Sequence, residues 1–259
     1  MIDYKLKKKM AEQQVVYGIF INSGSSIACE AAGLSGFDFA LIDSEHGPTD
    51  VIENRELITA CEIRGTAPIV RVKNGGYDTI LKMLDVGAHG VMVPQVNDPD
   101  YAKQIVNAAL YSPEGNRGIA TTRSSDYGFY SPMSEFYQAA NERNLVIVQC
   151  ENIKALPYLD EICSVQGIDV VFIGPYDLSS SMGKLGHVAP GEIREIIDRV
   201  LACCKEHGKY AGIFTKDVNE AKQYANMGFQ FIIVGTDISC MANGMKNIAG
   251  ALRGVILNG

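Results

Sequence analysis

The sequence predicts an α/β protein, a single (β/α)8 TIM barrel with an N-terminal cap helix, spanning residues 1–259 as one domain. Three observations carry that expectation. Short apolar runs alternate with longer amphipathic segments from end to end, the short runs are apolar on both faces, and there are eight of them. Strands buried on both faces belong to a parallel sheet covered by helices. Eight strand-helix units close such a sheet into a barrel, and a chain of this length suits one barrel domain.

The elements follow in order. KLKKKMAEQQ (5–14) carries a cationic cluster, Lys5 to Lys9, interrupted by Leu6 and Met10, which fits a cap helix over the bottom of the barrel. The strand-like runs are VVYGIF (15–20), FDFALID (37–43), APIVRV (67–72), GVMVP (90–94), LVIVQC (145–150), DVVFIG (169–174), YAGIFT (210–215) and FQFIIVG (229–235). Helical spacing fills the intervals at 26–34, 51–63, 77–87, 100–110, 156–165, 192–207, 218–228 and 239–255. A doubly wound open sheet is the alternative. It ordinarily carries a glycine-rich phosphate loop after its first strand, and NSGSS (22–26) reads more simply as a turn with a serine N-cap. The interval after GVMVP is longer than the others, and its helix is followed by YSPEGNRGIATTRSSDYGFY (111–130), a Pro/Gly/Arg-bearing loop of the length that usually serves function.

Composition excludes several classes. A net charge of -7 offers no basic surface for nucleic acid or anionic membranes. The longest apolar runs are strand-sized, and no apolar segment follows the Lys5–Lys9 cluster, so the sequence predicts a soluble, cytoplasmic protein without a membrane span. Seven cysteines, at 29, 61, 150, 163, 203, 204 and 240, form no C-x-x-C pair and read as core residues rather than a zinc or disulfide framework. Cys150 precedes Glu151, and strand alternation points its thiol toward the helices and away from that carboxylate.

Catalytic groups of such barrels sit at the carboxyl ends of the strands, where successive loops converge on one mouth. That rim reads Asp43, Ser44, Glu45 and His46 after the second strand, Arg71 at the third, and Pro94 and Gln95 at the fourth. Gln149 and Glu151 end the fifth, and Gly174, Pro175 and Asp177 end the sixth. One base (His46), one forked cation (Arg71) and two carboxylates (Glu151, Asp177) make a site for a small anionic carbonyl compound bound through a metal. Oxygen donors without cysteine favour Mg²⁺, Mn²⁺ or Co²⁺. Simpler roles compete. Asp177 could cap a helix, Glu151 could begin one, and Arg71 could form an ion pair with Asp43 or Glu45. Arg117 and Arg123 are either acceptor-binding or solvated, and His89, His187 and His207 are expected outside the site.

The strings DFALIDSEHGP, PIVRV, MLDVGAHGVMVPQV, YSPEGNRG followed by TRSSDYG, IVQCE and GIDVVFIGPYDLSSSMG together resemble the HpcH/HpaI family of class II, metal-dependent, pyruvate-specific aldolases. The resemblance covers most of the chain. It implies a divalent ion held by Glu151 and Asp177, with pyruvate chelating it through keto oxygen and carboxylate. It further implies Arg71 on the keto or enolate oxygen, backbone N–H groups around Tyr176 and Asp177 on the carboxylate, and substrate contacts from Gln149, Gly174 and Pro175. His46 matches the family's basic histidine. Asp85 matches an acid that pairs with that histidine in a neighbouring subunit, in homo-hexamers built as trimers of dimers that exchange their C-terminal helix. The sequence departs from the family pattern at YSPEGNRG, at Asn152 and at Phe20, where tryptophan is frequent.

Cleaving a C–C bond beside a carbonyl requires a sink for the released electrons, and a Lewis acid or a Schiff-base lysine can supply it. Lys73 and Lys216 remain candidates for the second route. The leading expectation is an aldolase that reversibly cleaves a 2-keto-4-hydroxy acid to pyruvate and an aldehyde. One alternative is a citrate synthase-type condensation of oxaloacetate with acetyl-CoA, serving siderophore biosynthesis, in which Arg71 and the loop arginines hold oxaloacetate carboxylates. Another is a non-catalytic keto-acid-binding protein.

Overall fold

A computed structural model describes residues 4–129, 132–184 and 190–253. Helix α1 (Leu6–Ala11) precedes β1 (Val16–Ile21), α2 (Ser26–Leu34), β2 (Phe39–Asp43), α3 (Val51–Ile63), β3 (Ala67–Arg71), α4 (Tyr77–Asp85), β4 (Gly90–Val93) and α5 (Pro99–Ala109). The chain continues through a 3-10 segment (Arg123–Gly128), α6 (Met133–Arg143), β5 (Leu145–Gln149), a 3-10 turn (Ile153–Tyr158) and α7 (Leu159–Ser164). It ends with β6 (Val170–Ile173), α8 (Pro175–Ser181), α9 (Pro190–Glu206), β7 (Tyr210–Thr215), α10 (Val218–Met227), β8 (Phe231–Thr236) and α11 (Asp237–Arg253). Every neighbouring strand pair is parallel, and β8 returns to β1, closing the barrel. Among the described residues, no helix is long and apolar enough to cross a membrane.

Period-two alternation sorts each strand into two apolar sets. One set fills the barrel: Val16 and Phe20, Phe39 and Leu41, Ala67 and Ile69, Leu145 and Ile147, Val170 and Phe172, Phe231 and Ile233. The other set, including Val70, Val91, Val148 and Cys150, packs under the helices. Phe39 stacks on Phe231 at 4.2 Å between centroids. Gly18 makes this possible, because a Cβ there would stand 2.1 Å from the Phe39 ring. Leu6 and Met10 of α1 join the interior set and close the barrel at its amino-terminal end. The lysines beside them are paired rather than free: Lys7 with Asp169 at 2.8 Å and Lys9 with Asp38 at 2.5 Å.

All eight strands lie where the apolar runs place them. The long interval before β5 holds, beyond the helix and the loop expected there, a further helix, α6, whose Phe136 and Ala140 pack with Tyr111 in a small cluster of their own. Asp50, not the preceding loop, starts α3, with Glu53 completing a capping box. The serine cap expected at NSGSS is absent: Ser25 makes no side-chain cap bond, and the Ser23 hydroxyl instead bonds Asp237 at the start of α11. His187 lies outside the described residues.

Candidate active site

Continuing the inward series of β5 past Ile147 leads to Gln149 and then Glu151, and continuing β6 past Phe172 leads to Gly174. The same alternation therefore aims Glu151 into the mouth and turns Cys150 away. Cys150 is buried in the helix-facing core, and desolvation pushes its thiol far above the ordinary range, which removes it as a nucleophile. Asp177 arrives from the first turn of α8, which begins at Pro175, directly after β6. It caps nothing there.

Gly174 joins the two carboxylates. An ideal Cβ on this residue would lie 3.2 Å from Glu151 Oε2 and 3.3 Å from Asp177 Oδ2, so the two oxygens can be no further apart than those distances laid end to end. Any side chain would fill the space between them. Gln95 donates to Glu151 Oε1 through both its backbone N–H and its side-chain amide, each at 3.0 Å, and Gln149 Nε2 donates to Oε2 at 2.9 Å. The side-chain amide oxygen Oε1 of Gln149 is buried without a partner among the described residues. Burial, opposed by the Gln95 N–H and reinforced by Asp177 and Glu45, raises the Glu151 carboxyl to about 7. A buried carboxyl facing a second carboxylate over a Cβ-sized gap, with an orphaned amide oxygen beside it, is a set of hard oxygen donors that fits a divalent ion.

Arg71 occupies the third side of the mouth. Its Nε and one terminal nitrogen bond Asp43 at 2.9 and 2.7 Å, the other terminal nitrogen reaches Glu45 at 3.3 Å, and its guanidinium lies 4.7 Å from the Phe20 ring centroid. Asp43 is saturated: it also accepts from Asn22 Nδ2 and from the N–H groups of Glu45 and His46. It orients Arg71 and has no oxygen to spare for an ion. A cavity of about 180 Å³ opens here, lined by Phe20, Asn22, Arg71, Gln149, Tyr176 and Phe214 among others. Gln95 and Asn22 hold the acidic groups in place. Strand alternation alone does not reveal this, because both act from loops just past a strand end.

His46 lies exposed on the rim, with Nε2 4.0 Å from Glu45. Asp85 does not join it. It ends α4 at the opposite, amino-terminal face, where it receives a 2.8 Å bond from Arg117. Neither loop arginine is solvated or near the mouth of its own chain. Arg117 is buried against Asp85 and over the Tyr111 ring, and Arg123 bonds Glu62, Thr59 and the Val86 carbonyl. Of the Schiff-base candidates, Lys73 pairs with Asp50 at 3.3 Å, and the Glu220 hydrogen bond pushes the exposed Lys216 amine up, opposite to what such chemistry needs.

The HpcH/HpaI aldolase/citrate lyase family model matches residues 16–244. The chain belongs to that family. It is 36% identical over 94% of its length to the hydroxypyruvate/pyruvate aldolase of Roseobacter denitrificans, covering 94% of that protein. It is 31% identical to the 5-keto-4-deoxy-D-glucarate aldolase of Salmonella arizonae, covering 96% of each chain. Among solved structures, the citrate synthase SbnG superposes with a TM-score of 0.87 at 28% identity, over 96% of this chain and 97% of that one. This family member is an enzyme of the aldolase/lyase type, which removes the non-catalytic binding protein from consideration.

Proposed function

We propose that the barrel reversibly cleaves a 2-keto-4-hydroxy acid to pyruvate and an aldehyde at the mouth formed by Glu151, Asp177, Arg71 and His46. The observation that carries this reading is the pair of carboxylates straddling Gly174. Glu151 and Asp177 would hold a divalent ion of the Mg²⁺, Mn²⁺ or Co²⁺ class, and that ion, when bound, supplies a Lewis acid for the keto oxygen. Arg71, locked by Asp43 and Glu45, presents a fixed positive charge where the enolate develops and needs no reorganisation to do so. Gln149, Gly174, Pro175 and the backbone around Tyr176 and Asp177 border the space left for the pyruvyl fragment. Phe20, Tyr176 and Phe214 give that space an apolar wall, which suits the methyl side of pyruvate and limits water.

His46 takes the proton from the C4 hydroxyl as the C3–C4 bond breaks, and returns it in the condensation direction. Its family partner Asp85 stands at the other end of its own barrel, so the two can pair only between copies of the chain. We place this protein in a homo-oligomer, with a hexamer as the specific expectation. The unpartnered apolar stripe on α11 supports self-association.

The test is pyruvate release from a 2-keto-4-hydroxy acid before and after exhaustive chelation. Activity should vanish and return with Mg²⁺, Mn²⁺ or Co²⁺, and turnover that survives chelation overturns the reading. The likeness to SbnG supports one other reaction, condensation of oxaloacetate with acetyl-CoA. Arg117 and Arg123 are engaged by Asp85 and Glu62 away from the mouth of their own chain, so within one chain they lend this alternative no carboxylate-binding groups. Free CoA released from acetyl-CoA and oxaloacetate would establish it, and no release would eliminate it.

A further inference from the structure

On the outer helical layer, α7 and the end of α9 bring together three donors of mixed chemistry. A carboxylate oxygen of Asp160, the Cys203 sulfur and a His207 ring nitrogen all lie within 4.8 Å of one another. Local structure explains why. The His207 N–H bonds the Cys203 carbonyl at 3.1 Å, which continues the helical turn past Glu206 and sends both side chains from the same face. Asp160 Oδ1 lies 2.8 Å from His207 Nε2. Cys163, one turn beyond Asp160 on α7, is fully buried with its thiol against those of Cys203 and Cys204. Because α9 leads into β7, its last turn sits at the amino-terminal end of the barrel, on the opposite face from Glu151 and Asp177.

This donor set differs in kind from the mouth. Sulfur and imidazole reject Mg²⁺ and Ca²⁺ and suit a tetrahedral, borderline-soft ion. We propose that Asp160, Cys203 and His207 form a second metal site, selective for Zn²⁺ and closed by water as fourth ligand. Binding exchanges the Cys203 S–H proton for a metal–sulfur bond, the proton passes to solvent, and no atom changes oxidation state. The long 3.6 Å contact from the Cys203 thiol to the Leu159 carbonyl is given up. The ion ties α7 to α9, which already pack together and share the Asp160–His207 pair and the Cys203–Leu159 contact.

Cobalt reports the two sites separately, because only a cysteine ligand produces thiolate-to-metal charge-transfer absorption. Full-length protein stripped of metal and titrated with Co²⁺ should develop that band to the amplitude of one thiolate-bound ion per chain, whatever Co²⁺ the mouth also takes up. Glu151→Gln should retain it, Cys203→Ala should lose it, and His207→Ala should weaken Co²⁺ and competing Zn²⁺ binding at least tenfold. If Cys203→Ala misfolds by circular dichroism, the partly exposed His207 decides alone. Absence of the band in the wild type, or an unchanged band and affinity in His207→Ala, overturns the site.

Discussion

Arg71 and Asp43 are two buried charges that depend on each other, and their energetics separate binding chemistry from folding. Removing the guanidinium in Arg71→Ala leaves Asp43 almost fully buried and uncompensated. That should cost about 3–5 kcal/mol of stability, with a fall in turnover of roughly 10²–10³-fold from the lost charge at the enolate oxygen. Adding Asp43→Asn should restore much of the unfolding midpoint and none of the turnover. Recovery of both together would mean that Arg71 serves only the fold. Glu151 makes a second test, through pH. Its carboxyl is held up to about 7 in the folded, metal-free chain against an ordinary value of 4.5. The folded state therefore keeps a proton that the unfolded state releases earlier. The stability that this protonated carboxyl contributes is fully present below about 4.5 and is lost as pH rises through about 7, amounting to roughly 3 kcal/mol. Chelated wild-type protein should lose urea resistance across that window relative to Glu151→Gln, which cannot titrate. Parallel curves for the two proteins would show that the carboxyl is not desolvated, and a saturating divalent ion should abolish the difference by holding the ionised form.

At the scale of elements, the barrel interior is set by where side chains are missing as much as by where they stand. Gly18 leaves room for the Phe39 ring, and Gly212 does the same for Phe172, with a Cβ there only 2.7 Å away. Gly18→Ala should lower stability by about 1–3 kcal/mol through overpacking, and Phe39→Leu in the same chain should recover part of it. Denaturation midpoints of the single and double variants check this, and additive losses would place the strain elsewhere. The strands were legible because each buries both faces and so reads as a continuous apolar run of the right length. The convergence of Glu151 and Asp177 was legible for the same reason, because they are the first carboxylates after two such runs. Helix α6 was not, because MSEFYQAANER buries only Phe136 and Ala140 and follows a loop rich in proline, glycine and serine. The ion pairs of the loop arginines were not legible, because Asp85 and Glu62, which neutralise them, lie 32 and 61 residues away in sequence. The Asp160–Cys203–His207 cluster escaped a search for C-x-x-C spacing, since its donors come from two helices whose contact only the barrel creates.

For the whole molecule, the last helix carries a long exposed apolar stripe. None of the residues of α11 is buried, although Ile238, Met241, Met245, Ile248 and Leu252 recur at three- and four-residue intervals and form one apolar stripe. Helices of soluble proteins bury such a stripe, and among the described residues this one packs mainly where α11 meets β1 and β8. The two ends of the barrel impose a matching demand: His46 at one mouth stands 4.0 Å from Glu45 and far from Asp85, which at the opposite end is held by Arg117. A second copy that accepts α11 could answer both. The wild-type chain should therefore run as a multiple of 28.1 kDa in light scattering, and Met245→Asp with Ile248→Asp should shift it toward smaller species without changing its circular dichroism. If pairing of His46 with Asp85 is intermolecular, the dissociated variant should also lose most of its turnover while still binding a divalent ion at Glu151 and Asp177. Mixing two inactive chains, His46→Ala and Asp85→Asn, should restore activity through hybrid sites, whereas full activity in a monomeric α11 variant would rule out any contribution from a neighbouring subunit.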